Sequence, residues 1–222
     1  MTGVQTCALP IFPFGTRFRG RITASDGTGV AGAGVYLCPV PANLYCSLLY
    51  SIGIPASTSA AGDFTTGLFA PGTYAIQVTA PAQNPRGLVG GWYAGAAPGG
   101  YAAWPSSASI LAVAGGTVPV SVRLSAPNRI RIRLAAADAS ALTGARVRTC
   151  DPVATGVCGQ WLSATSGDAT AGTPIVVGDG RTLLQVSPPP VRTDLLGGWY
   201  RAAPPASFAL VATDASPIEL TG

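Results

Sequence analysis

The strongest constraint on this 222-residue chain is that it repeats itself. Arginines alternate along a strand-like run at Arg17-Phe18-Arg19-Gly20-Arg21-Ile22 and again at Arg129-Ile130-Arg131-Ile132-Arg133-Leu134. A C-x7-C pair comes after each run, Cys38 with Cys46 and Cys150 with Cys158. The stretch from Gly72 through Gln77 and Val78 then corresponds to that from Gly180 through Gln185 and Val186. Gly90-Gly91-Trp92-Tyr93 corresponds to Gly197-Gly198-Trp199-Tyr200. The copies stand 112 residues apart at Cys38 and Cys150, 108 at the glutamines and 107 at the tryptophans. Between Pro119 and Pro217 the distance is 98, which predicts a shorter loop after the second GGWY. The Gly/Pro-rich stretch holding Tyr101 and Trp104 would then belong to the first copy alone. Ser125-Ala126-Pro127-Asn128 is the natural junction, because proline blocks continuation of a strand. The expected domains are 12–124 and 129–222.

Residues 1–11, MTGVQTCALPI, stand outside this scheme. They resemble the in-frame translation of a short-read sequencing adapter. They also lack the basic n-region and the apolar run of a secretory signal. We expect them to be non-native, and the reading frame to be a fragment whose own N-terminus and any signal peptide are lost.

Each copy reads as β. Tyr74, Ile76 and Val78 alternate with small or polar neighbours, as do Val118, Val120, Val122 and Leu124, which is the period of a half-buried strand. Glycine (29) and proline (20) interrupt at short intervals, and no window sustains a helical period. The expected fold class is all-β, with two tandem immunoglobulin-like or prealbumin-like β-sandwich domains.

Composition removes several function classes. Histidine is absent, which excludes His-based triads, His general bases and His-ligated metal. Charged residues are 10% of the chain, against roughly 25% in an ordinary domain, and the only glutamate is Glu219. Several carboxylates, such as Asp26 and Asp179, sit beside glycine in turn contexts where Asp is favoured for backbone hydrogen bonding. No pair of them is singled out as a catalytic acid and base. The expectation is therefore no catalytic residue, no cofactor and no metal site. All 13 basic residues are arginine and the net charge is +4, too sparse for a phosphate track, so no nucleic-acid partner is expected. No 18-residue apolar stretch suggests membrane insertion.

The cysteines admit three readings once Cys7 is set aside with the first segment. One local disulfide per repeat, Cys38–Cys46 and Cys150–Cys158, fits the shared spacing. Four buried thiols, or one zinc site with four cysteine ligands, are the others, although zinc ligands usually lie two to four residues apart. Disulfides would imply an oxidising compartment, hence an extracellular or cell-surface location.

The motifs of the first copy resemble a known family. Arg19-Gly20-Arg21-Ile22 leads through Gly29 and Val30 to Gly34-Val35-Tyr36-Leu37, and Ala61-Gly62-Asp63-Phe64 precedes Leu68-Phe69-Ala70-Pro71-Gly72-Thr73-Tyr74-Ala75-Ile76-Gln77-Val78. This is similar to the carboxypeptidase regulatory-like domain, whose relatives include Cna-B-type surface repeats and the transthyretin-like and starch-binding-like sandwiches. The resemblance spans nearly all of 12–124. It is weaker in the second copy, where Ala169-Thr170-Ala171-Gly172 and Gly178-Asp179-Gly180-Arg181 replace two of the motifs. It implies a non-catalytic extracellular structural or adhesive module. An alternative it allows is an accessory carbohydrate-binding module of a secreted glycan-degrading enzyme, of amylase type, or of a peptidase. Some Cna-B-type relatives carry a Lys–Asn crosslink, which a chain without lysine cannot form.

The sequence offers two candidate contact surfaces. Trp92 with Tyr93, and Trp199 with Tyr200, are either exposed platforms that stack on sugar rings or core aromatics. The arginine rows either meet an anionic cell-wall polymer or simply solvate and protect a sheet edge. The expected partner is a polysaccharide or wall polymer, and the expected state is a monomer.

Overall fold

The structure is a computed structural model that describes residues 15–40, 56–132, 134, 142–154, 156–160, 162–163, 173–202 and 208–221. Residues 1–11, Cys46, Arg133 and 169–172, which carry several of the expectations, lie outside these. The first half contains β1 (Thr16–Thr23), β2 (Gly34–Pro39), β3 (Ala56–Ser57), β4 (Asp63–Thr65), β5 (Gly72–Thr79), β6 (Gly91–Tyr93), β7 (Tyr101–Ala102), β8 (Leu111–Val113) and β9 (Gly116–Arg123). One sheet has the order β4-β1-β9. The other runs β3-β2-β5-β6-β7, with β8 also paired to β5.

Alternation builds the first core. Phe18 and Ile22 point inward from β1 and are fully buried, while Arg17, Arg19 and Arg21 point to solvent. Val120, Val122 and Leu124 cover them from β9 and the residue after it. Val35, Leu37, Tyr74, Ile76 and Val78 face them from the second sheet. Phe18, Phe69 and Tyr74 meet edge to face at 6.0–6.2 Å, the favoured geometry for aromatic neighbours. β1 and β9 pair in parallel along eight residues, from Thr16 opposite Gly116 to Thr23 opposite Arg123. Gly20 permits this approach, since a Cβ there would overlap the Val120 carbonyl.

The second half contains β10 (Asn128–Ile132), β11 (Arg146–Cys150), β12 (Leu162–Ser163), β13 (Thr173–Val177), β14 (Gly180–Ser187), β15 (Gly198–Tyr200), β16 (Phe208–Ala209) and β17 (Ile218–Leu220). Its larger sheet is β12-β11-β14-β15-β16 with β17 on β14, which matches the larger sheet of the first half strand for strand. Its smaller sheet is β10-β13. Every strand is antiparallel to its partner except β1 with β9. The chain is all-β, in the manner of an immunoglobulin-like sandwich.

Strand pairing corrects one expectation. The 107-residue spacing at Trp92 and Trp199 holds through to Val113 and Leu220, so the second half has no shortened loop. Gly95 and Ala202 each donate their amide to a serine hydroxyl, Ser109 and Ser216, at 2.9 Å. Ser109 and Ser216 in turn donate their own amides to the carbonyls of Tyr93 and Tyr200. Pro217 therefore corresponds to Ile110 rather than to Pro119, and β17 to β8 rather than to β9. The stretch with Tyr101 and Trp104 has a counterpart at Phe208 and Val211. Adjacent strands with the same alternation allowed a slip of one strand. It is β9 that has no counterpart among the described residues.

Candidate functional site: the tryptophan staples and the seam

Neighbouring residues of a strand point to opposite faces of the sheet, and this settles the geometry of each WY pair. Tyr93 packs against the main core of the first half and Tyr200 against that of the second. Trp92 and Trp199 point the other way, onto the outer face of the larger sheet. There Trp92 packs with Cys38, Ala75, Ala94 and Ala102, and Trp199 with Cys150, Leu183 and Ala209. The two tryptophans retain 6% and 8% of their exposure. Of the two readings left open for these pairs, the burial fits core aromatics: the two rings of a pair share no face, and each indole is covered.

The glycines of the motif have the same origin. A Cβ at Gly91 would overlap the Tyr101 ring and the Ala102 carbonyl. At Gly198 it would overlap the Phe208 ring and the Ala209 carbonyl. GGWY is thus a packing motif in which the backbone of the next strand lies too close for any side chain.

Cys150 and Cys158 form a disulfide beneath Trp199. That excludes buried thiols and thiolate zinc ligation for this pair. Cys38 is also disulfide-bonded, and Cys46, its expected partner, lies outside the described residues. Among the described residues no three cysteine or carboxylate side chains gather as a metal site. No helix among them is long and apolar enough to cross a membrane.

Sequence reasoning missed the seam between the halves. Tyr101 and Trp104 do not sit on a free loop; they lie against the second half. The Trp104 indole donates to the Arg181 carbonyl at 3.1 Å. Tyr101 is buried, and its hydroxyl donates to the Gly90 carbonyl at 3.2 Å. Gly178 makes room for it, because a Cβ at that position would overlap the hydroxyl. Burial, with the Asp179 carboxylate adding to it, pushes the Tyr101 hydroxyl far above its ordinary pKa. Asn128 donates to Asp179 at 2.9 Å, and the Asp179 amide donates to the Ser125 hydroxyl at 2.8 Å, which fixes the junction. A cavity of about 130 Å³, lined by Tyr101, Trp104, Thr149, Val177, Arg181 and Thr182 among others, lies along this seam.

Asp151 closes it. Its carboxylate is fully buried and accepts four hydrogen bonds. Ser106 of the first half gives its hydroxyl at 2.8 Å and its amide at 3.4 Å. Val153 and Ala154 give amides at 2.8 and 3.1 Å. The local half of this pattern is an Asx turn, which an Asp directly after Cys150 could have signalled. The Ser106 half joins residues 45 apart and has no sequence signature.

Arg17, Arg19 and Arg21 on β1, and Arg129 and Arg131 on β10, are exposed. Arg21 donates to the Ala61 carbonyl at 2.9 Å and lies 3.9 Å from the Asp63 carboxylate. Arg19 with Ser57, Ser59, Asp63 and Thr65 borders an open polar groove of about 350 Å³.

Fold and site together define a disulfide-bonded all-β protein in which Trp92 packs with Cys38 and Trp199 with Cys150 and Cys158. No family model matches the chain, and a search of curated proteins finds no match. Similar solved structures include the TIE protein of Bacillus anthracis, at 13% identity and TM-score 0.33, over 80% of this chain and 28% of that one. The major pilin subunit of Bacillus cereus is similar at 17% identity and TM-score 0.34, over 52% and 30%. A streptococcal ancillary pilin is similar at 13% identity and TM-score 0.36, over 87% and 60%. This chain spans less than two thirds of the length of each.

Proposed function

We propose that the chain is a non-catalytic structural or adhesive module of an extracellular or cell-surface protein. In this reading two tandem β-sandwich repeats, related to the carboxypeptidase regulatory-like domains, are docked into one stiff spacer. The observation that carries it is the seam, where a fully buried carboxylate and two aromatic side chains join the halves. A flexible linker would need none of these contacts. The disulfide supports an oxidising compartment. The exposed arginines leave a surface for an anionic wall polymer. The rival reading, a glycan-binding module of a secreted enzyme, loses support from the burial of Trp92 and Trp199.

Holding the chain by its two ends in magnetic tweezers tests the spacer. The expected trace keeps a constant length at low force until a discrete unfolding step. A gradual, spring-like extension before any unfolding step would overturn it.

A further inference from the structure

The smaller sheet of the first half turns one face to the core and the other to solvent. On the solvent face β1 carries Arg17, Arg19 and Arg21, β9 carries Arg123, and β4 carries Asp63 and Thr65, all exposed. Four arginines stand against one carboxylate across these strands, a net of three positive charges on a chain whose net charge is +4. The charge of the molecule is therefore gathered on one face.

The arginines of β1 are not equivalent. Arg21 is tied to the Ala61 carbonyl and lies 3.9 Å from Asp63. Arg17 and Arg19 have no hydrogen bond or ion pair among the described residues. Strand register sets Arg19 opposite Thr65 and Arg21 opposite Asp63. The polar groove of about 350 Å³ beside Arg19 is also bordered by Ser57 and Ser59. Ser59 accepts the amides of Ala61 and Asp63 at 3.3 and 3.2 Å, which leaves its hydroxyl proton to donate. The groove thus offers a guanidinium for an anion, and beside it hydroxyls and a carboxylate for a ligand's own hydroxyls. Phe64, the aromatic that borders it, is buried, so no ring face is presented for stacking on a pyranose. The row on β10 is different: Arg129 stands opposite Val176 and Arg131 opposite Pro174, with no polar side chain at either facing position.

We propose that the outer face of β1, with the groove beside Arg19, binds a polymer of open-chain polyol units joined by phosphodiesters, each unit keeping a free hydroxyl. The proposal rests on the reading of the chain as a surface module and gives its adhesive role a ligand. Alternate residues of a strand lie about 7 Å apart. An extended glycerol phosphate chain has a repeat of similar length, so successive phosphodiesters fall on Arg17 and Arg19. Each guanidinium presents a planar fork of donors that matches two oxygens of one phosphate. The polyol hydroxyls then meet Ser57, Ser59 and Thr65, and Asp63, whose charge Arg21 offsets, accepts one of them.

The test is isothermal titration of the intact chain with poly(glycerol phosphate) at low ionic strength. Polygalacturonate, an acidic polymer of pyranose rings, is the comparison ligand. Arg17→Gln with Arg19→Gln is measured against Arg129→Gln with Arg131→Gln, which removes the same charge from the other row. All four positions are exposed, and thermal melting checks that each variant is folded. The expected result is saturable binding of poly(glycerol phosphate), with amide NMR shifts centred on β1 and 57–65. Affinity should fall at least about tenfold in the first pair. It should change less than about twofold in the second, and polygalacturonate should bind more weakly. An equal loss in both pairs would overturn the proposal, since the polymer would then answer net charge alone. So would polygalacturonate binding as tightly, or no binding of poly(glycerol phosphate) at all. Such a failure is separable from a failure of the spacer reading, which is read from extension under force.

Discussion

Replacing Asp151 with alanine removes the acceptor of four hydrogen bonds at one buried point. Two of the donors belong to Ser106 and two to the turn just after Asp151, so the loss divides into a seam part and a local part. A buried donor left without its acceptor costs about 1–3 kcal/mol. The Ser106 amide bond is long at 3.4 Å and weighs little. The turn amides can recover water once the loop relaxes, so the sum is about 3 kcal/mol, roughly half of it from the seam. For a chain of this length that is a fall in Tm of about 6–12 °C. Ser106→Ala should cost about 1–1.5 kcal/mol. The double variant should be only slightly worse than Asp151→Ala, because both changes delete one contact. The assay is urea unfolding of the four proteins as a double-mutant cycle, monitored by fluorescence. A coupling energy of about 1 kcal/mol or more is expected for residues in contact. Strict additivity, or an Asp151→Ala change under about 0.5 kcal/mol, would refute the claim that this carboxylate ties the halves together.

The staples and the charges give three further expected outcomes. Cys150→Ser with Cys158→Ser should lower stability by about 2.5 kcal/mol in the chain-entropy account of a loop this short. Intact mass before and after reduction checks that the bond was present. Trp199→Ala should cost about 3–5 kcal/mol as a core truncation. Thermal melting reads this loss, and if the wild-type chain is retained on polysaccharide gels while a folded Trp199→Ala chain is not, the glycan-contact reading returns. Asp194 is held down at about 2 by its hydrogen bonds with the Arg192 guanidinium. Its folded value lies below the ordinary carboxylate value of about 3.9, so its contribution to stability is present above that pH and is lost as pH falls toward 2. An NMR titration of the carboxyl carbon checks the value, and Arg192→Gln should return it toward the ordinary range.

The parts of the architecture legible in the sequence are those written in local alternation. Tyr74, Ile76 and Val78 on β5, and Val118, Val120 and Val122 on β9, announce strands because every second side chain is apolar, and the structure pairs them as strands. The Cys150–Cys158 bond was legible because its partners are close in the chain and the spacing recurs. The correspondence of β17 with β8 was not legible, since Val-Pro-Val and Ser-Pro-Ile are alike in pattern and only hydrogen-bond partners distinguish the strands. The burial of Trp92 and Trp199 was half legible. Adjacency in a strand puts Trp and Tyr on opposite faces, but it does not say that the outer face is covered. The seam was invisible, because Ser106 with Asp151 and Trp104 with Arg181 depend on how the halves meet.

The central claim is that the two halves form one stiff unit, and residual dipolar couplings of the intact chain in a dilute aligned medium test it most directly. With the halves joined along the seam, the backbone amides of β1–β9 and of β10–β17 are expected to fit a single alignment tensor. Two tensors of different magnitude or orientation would contradict it.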